Sequence, residues 1–138
     1  MKNRAGRDDD EAHVGGQRLS CAELEAALGE HHAVEEAVVV TAPGKDGDTL
    51  WAFVTPDPDI MASDVLAADL KGYLRREKGA NAVPAQVIFG PLPKTAAGEV
   101  VRPVLTRIAR TGDAGDVSGL TDPAVAAYLA KLRADALA

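Results

Sequence analysis

The sequence predicts an α+β (α/β) domain: a small sheet of about three strands packed by helices, in the order αββαβα, followed by a C-terminal helix. Three observations carry this. Two runs rich in β-branched residues, 37–41 and 50–55, flank strong turn chemistry in Pro43-Gly44-Lys45-Asp46-Gly47-Asp48. Leucines recur at helical spacing behind serines able to cap a helix start. A length of 138 residues suffices for one domain around one core and is short for two.

Residues 1–16 are polar, carry a basic and then an acidic cluster, and end in Gly15-Gly16, so they read as a flexible, hinge-like tail before a domain of residues 17–138. Ser20-Cys21-Ala22-Glu23 is a capping box, in which a hydroxyl and a carboxylate each satisfy a free N–H at a helix start. Leu24, Ala27 and Leu28 give that helix its apolar stripe. The two β-branched runs follow and read as neighbouring, antiparallel strands. Ser63 caps a second helix carrying Leu66, Leu70, Tyr73 and Leu74, and Gly79 is placed to end it. Pro84 forbids its continuation, and residues 86–89 form a short third strand. Pro91, Pro93 and Gly98 hold an irregular segment before Val101, Val104, Leu105 and Ile108 mark a third helix. After a Gly- and Asp-rich loop, Pro123 opens the last helix, with Val125, Leu129 and Leu132 on its apolar side.

Composition excludes several classes. With 46% hydrophobic and 26% charged residues the chain has the make-up of a folded globular protein. Neither a membrane-spanning run nor a signal-peptide core is visible, which makes a cytoplasmic location the expectation. A net charge of −6 argues against broad binding to nucleic acid or to an anionic membrane, while leaving room for a small basic pocket. The lone Cys21 reads as an ordinary thiol, with no metal site around it.

Three blocks say more than composition does. Gly6-Arg7-Asp8-Asp9-Asp10, followed by Gly16-Gln17-Arg18-Leu19 and Ala22-Glu23-Leu24-Glu25, resembles the hinge and first helix of the adenylate-forming acyl-CoA synthetases. Pro93-Lys94-Thr95-Ala96-Ala97-Gly98 resembles that family's last signature loop. Residues 115–123 are similar to the end of acetyl-CoA synthetases in particular. The resemblance implies the fold of the C-terminal domain of AMP-binding enzymes, a small lid that closes over a large adenylating domain in one orientation for acyl-adenylate and in another for CoA.

The resemblance also implies residue roles. Asp10 matches the hinge residue, with Asp9 its rival; Arg7 matches an arginine that reaches the nucleotide phosphates. Gly16 matches a glycine on the pantetheine path, and Arg18 and Arg75 match arginines that contact the CoA phosphates, a task suited to a planar guanidinium. CoA is therefore the implied cofactor, bound weakly, at about −4 kcal/mol, since this domain offers one wall of a tunnel. Glu99 occupies the position of the family's adenylation lysine, which leaves no catalytic residue. The competing reading of Glu99 is a first-turn acid favoured by a helix dipole.

Other polar residues read more plainly. Lys94 is a loop residue, His31-His32 an exposed helix-end pair, residues 8–11 a solvated acidic run, and Trp51 and Phe53 core or interface, while His13 fills a position where the resembling family often has a small polar residue. The expected function is a stand-alone, non-catalytic binding or regulatory module whose partner is an adenylate-forming domain in trans. The alternative is the small subunit of a split acyl-CoA synthetase that supplies the CoA face. A new acid/base reaction at Glu99 has no second catalytic group near it in sequence.

Overall fold

The computed structural model describes residues 11–14, 16–44 and 47–137. Its strands are β1 (Glu11–Val14), β2 (Gln17–Ser20), β3 (Val34–Gly44), β4 (Gly47–Pro56) and β5 (Gln86–Phe89). Its α-helices are α1 (Cys21–Gly29), α2 (Asp64–Lys78), α3 (Arg102–Thr111) and α4 (Pro123–Leu137), with a 3-10 turn at Ala80–Ala82.

The main sheet has the order β3-β4-β5, with β3 antiparallel and β5 parallel to the central β4. Pro43 and Gly44 pair with Asp48 and Gly47 at the β3–β4 turn, where the sequence places its turn chemistry. A parallel β4–β5 pair needs a crossover, and α2 supplies it. Local chemistry sets the helix ends. Ser20 Oγ accepts the N–H of Glu23 at 3.3 Å, and Ser63 Oγ accepts that of Leu66 at 3.1 Å. Gly79, at φ 103°, terminates α2 in a backbone conformation closed to most side chains.

Alternation along β4 builds the core on both faces of the sheet. Leu50, Ala52 and Val54 join Val39, Leu24, Leu28, Leu70 and Leu74 beneath α1 and α2. Trp51 and Phe53 join Val38, Val40, Ile88, Leu105, Ile108 and Leu129 beneath α3 and α4. The single core expected from chain length is thus two apolar layers sharing one sheet. Burying one such large side chain is worth about 1.5–3 kcal/mol, so β4, buried on both sides, is the backbone of the domain.

The N-terminal part corrects the sequence reading. Residues 11–14, assigned to a tail, form β1 and pair antiparallel with β2 in a second, two-stranded sheet. Ala12 and Leu19 bury against the α1–α2 layer. The hairpin also docks on the β3–β4 turn: the His13 N–H donates to the Asp48 carboxylate at 2.9 Å, and a Cβ at Gly47 would come within 2.8 Å of the His13 carbonyl oxygen. Arg7 and Asp10 lie outside the described residues.

Candidate functional site

Two surface features carry Glu99, Gly16 and Arg18 among the residues singled out by sequence. The first is the loop of residues 94–100. Lys94 and Val100 form an antiparallel bridge, the Thr95 N–H donates to the Glu99 carbonyl at 2.9 Å, and the Gly98 N–H donates to the Thr95 carbonyl at 2.9 Å. Gly98, at φ 85°, allows the tight return. The Thr95 hydroxyl accepts the Glu99 N–H at 3.4 Å, so Glu99 is held by its backbone while its side chain is exposed. Among the described residues no hydrogen bond or ion pair engages that carboxylate. Glu99 is not a first-turn acid: α3 begins at Arg102 and has no acidic residue in its first turn. The helix-dipole reading is therefore set aside.

Lys94 ties this loop to the rest of the domain. Its ammonium lies 2.8 Å from Glu36 Oε1 on β3, and its carbonyl accepts the Thr121 N–H at 3.0 Å. The C-terminal block that resembles acetyl-CoA synthetases thereby locks onto the signature loop.

The second feature is a cleft of about 350 Å³ between β2, the start of α1 and the end of α2, lined by Glu11, Gln17, Arg18, Ser20, Glu23 and Lys78 among others. Gly16 sits beside it in the β1–β2 turn at φ 80°. Nothing lies within 4 Å of where its Cβ would be, so within this domain the conformation, and not crowding, calls for glycine. Arg18 Nε is 3.8 Å from Glu11 Oε1, and Lys78 Nζ is 4.0 Å from Glu23 Oε1. Asn81 Nδ2 donates to Gln17 Oε1 at 2.9 Å and fastens the hairpin to the 3-10 turn after α2. Arg75 is exposed on α2, one turn before Lys78; neither it nor Glu99 lines the cleft. Lys78 is the residue that sequence reasoning missed, hidden in Arg75-Arg76-Glu77-Lys78 as one more charge on a solvated face.

Several other polar residues have structural partners. His31, read as exposed, is 9% exposed: its Nδ1 accepts the Ala33 N–H at 3.1 Å and its Nε2 lies 3.2 Å from Asp69 on α2. Tyr73 packs edge-on to the same ring and donates to the Ala27 carbonyl at 2.9 Å; burial, then Glu77 and Glu30, push its phenol upward. The Ser118 N–H and side chain hold Asp116 below the usual carboxylate range. Trp51 and Phe53 are core.

Residues 23–99, more than half of the chain, match the model of the AMP-binding enzyme C-terminal domain. The chain belongs to that family. This AMP-binding C-terminal domain is 43% identical over 132 residues to the acetyl-coenzyme A synthetase of Syntrophus aciditrophicus, covering 93% of this chain and 20% of that protein. It is also 43% identical over 133 residues to the acetyl-coenzyme A synthetase of Caulobacter vibrioides, covering 94% of this chain and 21% of that one. Among solved structures, an acyl-CoA synthetase from Brucella canis superposes with a TM-score of 0.65 at 32% identity, over 72% of this chain and 18% of its own. An acetoacetyl-CoA synthetase from Streptomyces lividans reaches a TM-score of 0.70 over 92% of this chain and 20% of its own; at 18% identity this likeness concerns fold alone. The domain spans about a fifth of the length of the curated relatives it matches. Among the described residues no helix is long and apolar enough to cross a membrane.

Proposed function

We propose that this domain is a non-catalytic binding or regulatory module that works against a large adenylating domain. The observation that carries the reading is Glu99, an exposed carboxylate at the place where the motif of residues 93–98 leads to the adenylation lysine. A cation there would meet developing negative charge on the acid and phosphate oxygens. A carboxylate reverses the sign: at about 4 Å and an effective dielectric near 20, a unit pair amounts to roughly 4 kcal/mol, now repulsive. Lys94, its ammonium at 2.8 Å from Glu36, is engaged elsewhere.

The test uses the purified protein, a hinge-truncated acetyl-CoA synthetase, acetate, ATP and Mg²⁺. No pyrophosphate is released with the native protein, and release appears with Glu99→Lys. Pyrophosphate release with Glu99 intact overturns the reading.

A second reading, the CoA face of a two-part acyl-CoA synthetase, is favoured by the position of Gly16 and Arg18 on one hairpin beside a cation-bearing cleft. Thioester formation needs that face and not the lysine. If the native protein accelerates conversion of supplied acetyl-adenylate and CoA to acetyl-CoA by the truncated enzyme, this second reading replaces the first. No acceleration leaves the binding module.

A further inference from the structure

β5 lies at the outer side of the main sheet, and its edge is treated differently from the opposite one. On β3, the Val39 N–H and carbonyl are engaged by Glu25 and Arg102, at 2.8 and 2.9 Å. Among the described residues no side chain hydrogen-bonds the main chain of residues 86–89, which pair with β4 alone. An edge strand turns alternate N–H and carbonyl groups away from its sheet, so β5 offers a row of open donors and acceptors.

A groove of about 360 Å³ runs over this edge. Its floor is Val87, Ile88 and Phe89, with Asp64 of α2 on one side and Leu132 and Asp135 of α4 on the other. Because α2 covers one face of the sheet and α4 the other, the groove straddles the strand. The exposed large hydrophobics gather round it. Met61 and Val65, 87% and 79% exposed, flank the lining residues 62–64 in sequence, and Leu137 follows the lining residue Ala136. Tyr128 lies 3.2 Å from where a Cβ would sit on Gly90, directly after β5. These four are all the exposed large hydrophobics among the described residues, and an apolar surface collected in one place marks an interaction site. The charged residues of the lining are Asp64 and Asp135. Both are exposed, and among the described residues neither carboxylate has a hydrogen bond or an ion pair.

We infer that the β5 edge docks an extended segment of another protein, apolar along both faces and carrying a cation on each, which joins the sheet as a fourth strand. Main-chain hydrogen bonds to β5 hold the segment, and its side chains fall alternately toward α2 and toward α4. Apolar side chains cover the groove floor, while the two cations meet Asp64 and Asp135. Charge decides against a second copy of this chain as the occupant. Self-pairing at this edge brings four unpaired carboxylates together in a protein whose net charge is already −6. The inference does not rest on the reading of Glu99.

The probe is the end-blocked peptide Val-Val-Lys-Lys-Val-Val, which when extended shows valine, lysine and valine on each face. It is titrated into the intact protein and followed by backbone amide shifts and hydrogen exchange. Saturable binding is expected, with shifts gathered at residues 62–67, 86–90 and 132–137 and slowed exchange within β5. Asp64→Asn and Asp135→Asn each weaken binding about two- to five-fold, the change corresponding to one exposed charge pair. Glu35→Gln removes an exposed carboxylate from β3, at the other edge of the sheet, and leaves affinity unchanged. Circular dichroism verifies that each variant is folded. Exchanging both lysines of the peptide for glutamate abolishes binding. The same peptide N-methylated at every internal amide keeps its charges, can donate no main-chain hydrogen bond, and does not bind. Equal binding by the N-methylated peptide overturns the inference, as does equal affinity across the native, Asp64→Asn and Asp135→Asn proteins. So does a lack of saturable binding. Sedimentation that resolves a dimer of the native protein, dissociated by Val65→Glu, assigns the edge to a second copy and overturns it as well.

Discussion

Gly16 shows how a side chain's absence can be demanded by conformation alone. At φ 80° it turns β1 into β2, and open space surrounds the position of a Cβ. Gly16→Ala is expected to cost about 1–2 kcal/mol, the penalty of a left-handed conformation for an L-residue, and Gly16→Asn less, since asparagine tolerates that region. Urea denaturation of the three proteins measures this. Glu99 makes the complementary point. Its backbone is fixed by Thr95 on both sides, so its charge is presented at a defined place. Exchanging it for lysine changes the sign presented there and leaves the loop's hydrogen bonds, all through backbone and Thr95, intact.

At the scale of elements, the free edge of β3 is closed by side chains, and among the described residues no further strand pairs with it. Glu25 on α1 accepts the Val39 N–H at 2.8 Å, while Arg102 on α3 donates to the Val39 carbonyl at 2.9 Å and pairs with Glu25 at 2.7 Å. Arg110 on α3 donates to the Thr41 carbonyl at 3.1 Å. An open edge invites pairing with other chains, and this arrangement withholds the main-chain groups that such pairing uses. Arg102→Ala leaves the Val39 carbonyl and the half-buried Glu25 without that guanidinium and is expected to cost about 2 kcal/mol in urea unfolding. It should also raise light scattering on mild heating. Arg102→Lys does not rescue it, because an ammonium cannot span a carbonyl and a carboxylate in one plane.

These contacts mark the limit of what the sequence discloses. Ser20, Ser63, Gly79 and the turn at residues 43–48 were legible because each acts through its own few neighbours. The hairpin of β1 and β2 was not: each strand has four residues, and His13, Gln17 and Arg18 are exposed, so their polarity outweighed Ala12 and Leu19. Gly15-Gly16 was the available signal, a glycine pair read as the end of a tail although the strands on either side of it pair, Val14 with Gln17. Glu99 was found only through the motif around it. Lys78 reaches its cleft because α2 ends beside β2, a tertiary fact with no local signature.

On the scale of the whole molecule, the question is whether the two apolar layers melt together. Each draws on β4, whose alternate residues face opposite ways: Ala52 and Val54 toward α1 and α2, Trp51 and Phe53 toward α3 and α4. Neither layer can lose β4 without stripping the other, so the domain should unfold in one cooperative transition. Leu70 in the first layer and Ile108 in the second are both fully buried and belong to different clusters. Leu70→Ala and Ile108→Ala are each expected to cost about 2–5 kcal/mol, and the double variant to cost their sum within about 0.5 kcal/mol. Trp51, the single tryptophan, reports on the second layer by fluorescence, whereas far-UV circular dichroism reports on the helices of both layers, α1–α4 among them. If the sheet joins the layers, Leu70→Ala shifts the Trp51 midpoint as far as the dichroism midpoint, although Leu70 lies in the other cluster. A Trp51 midpoint that stays in place while dichroism falls in two steps would mean that α1 and α2 come away from β4 by themselves.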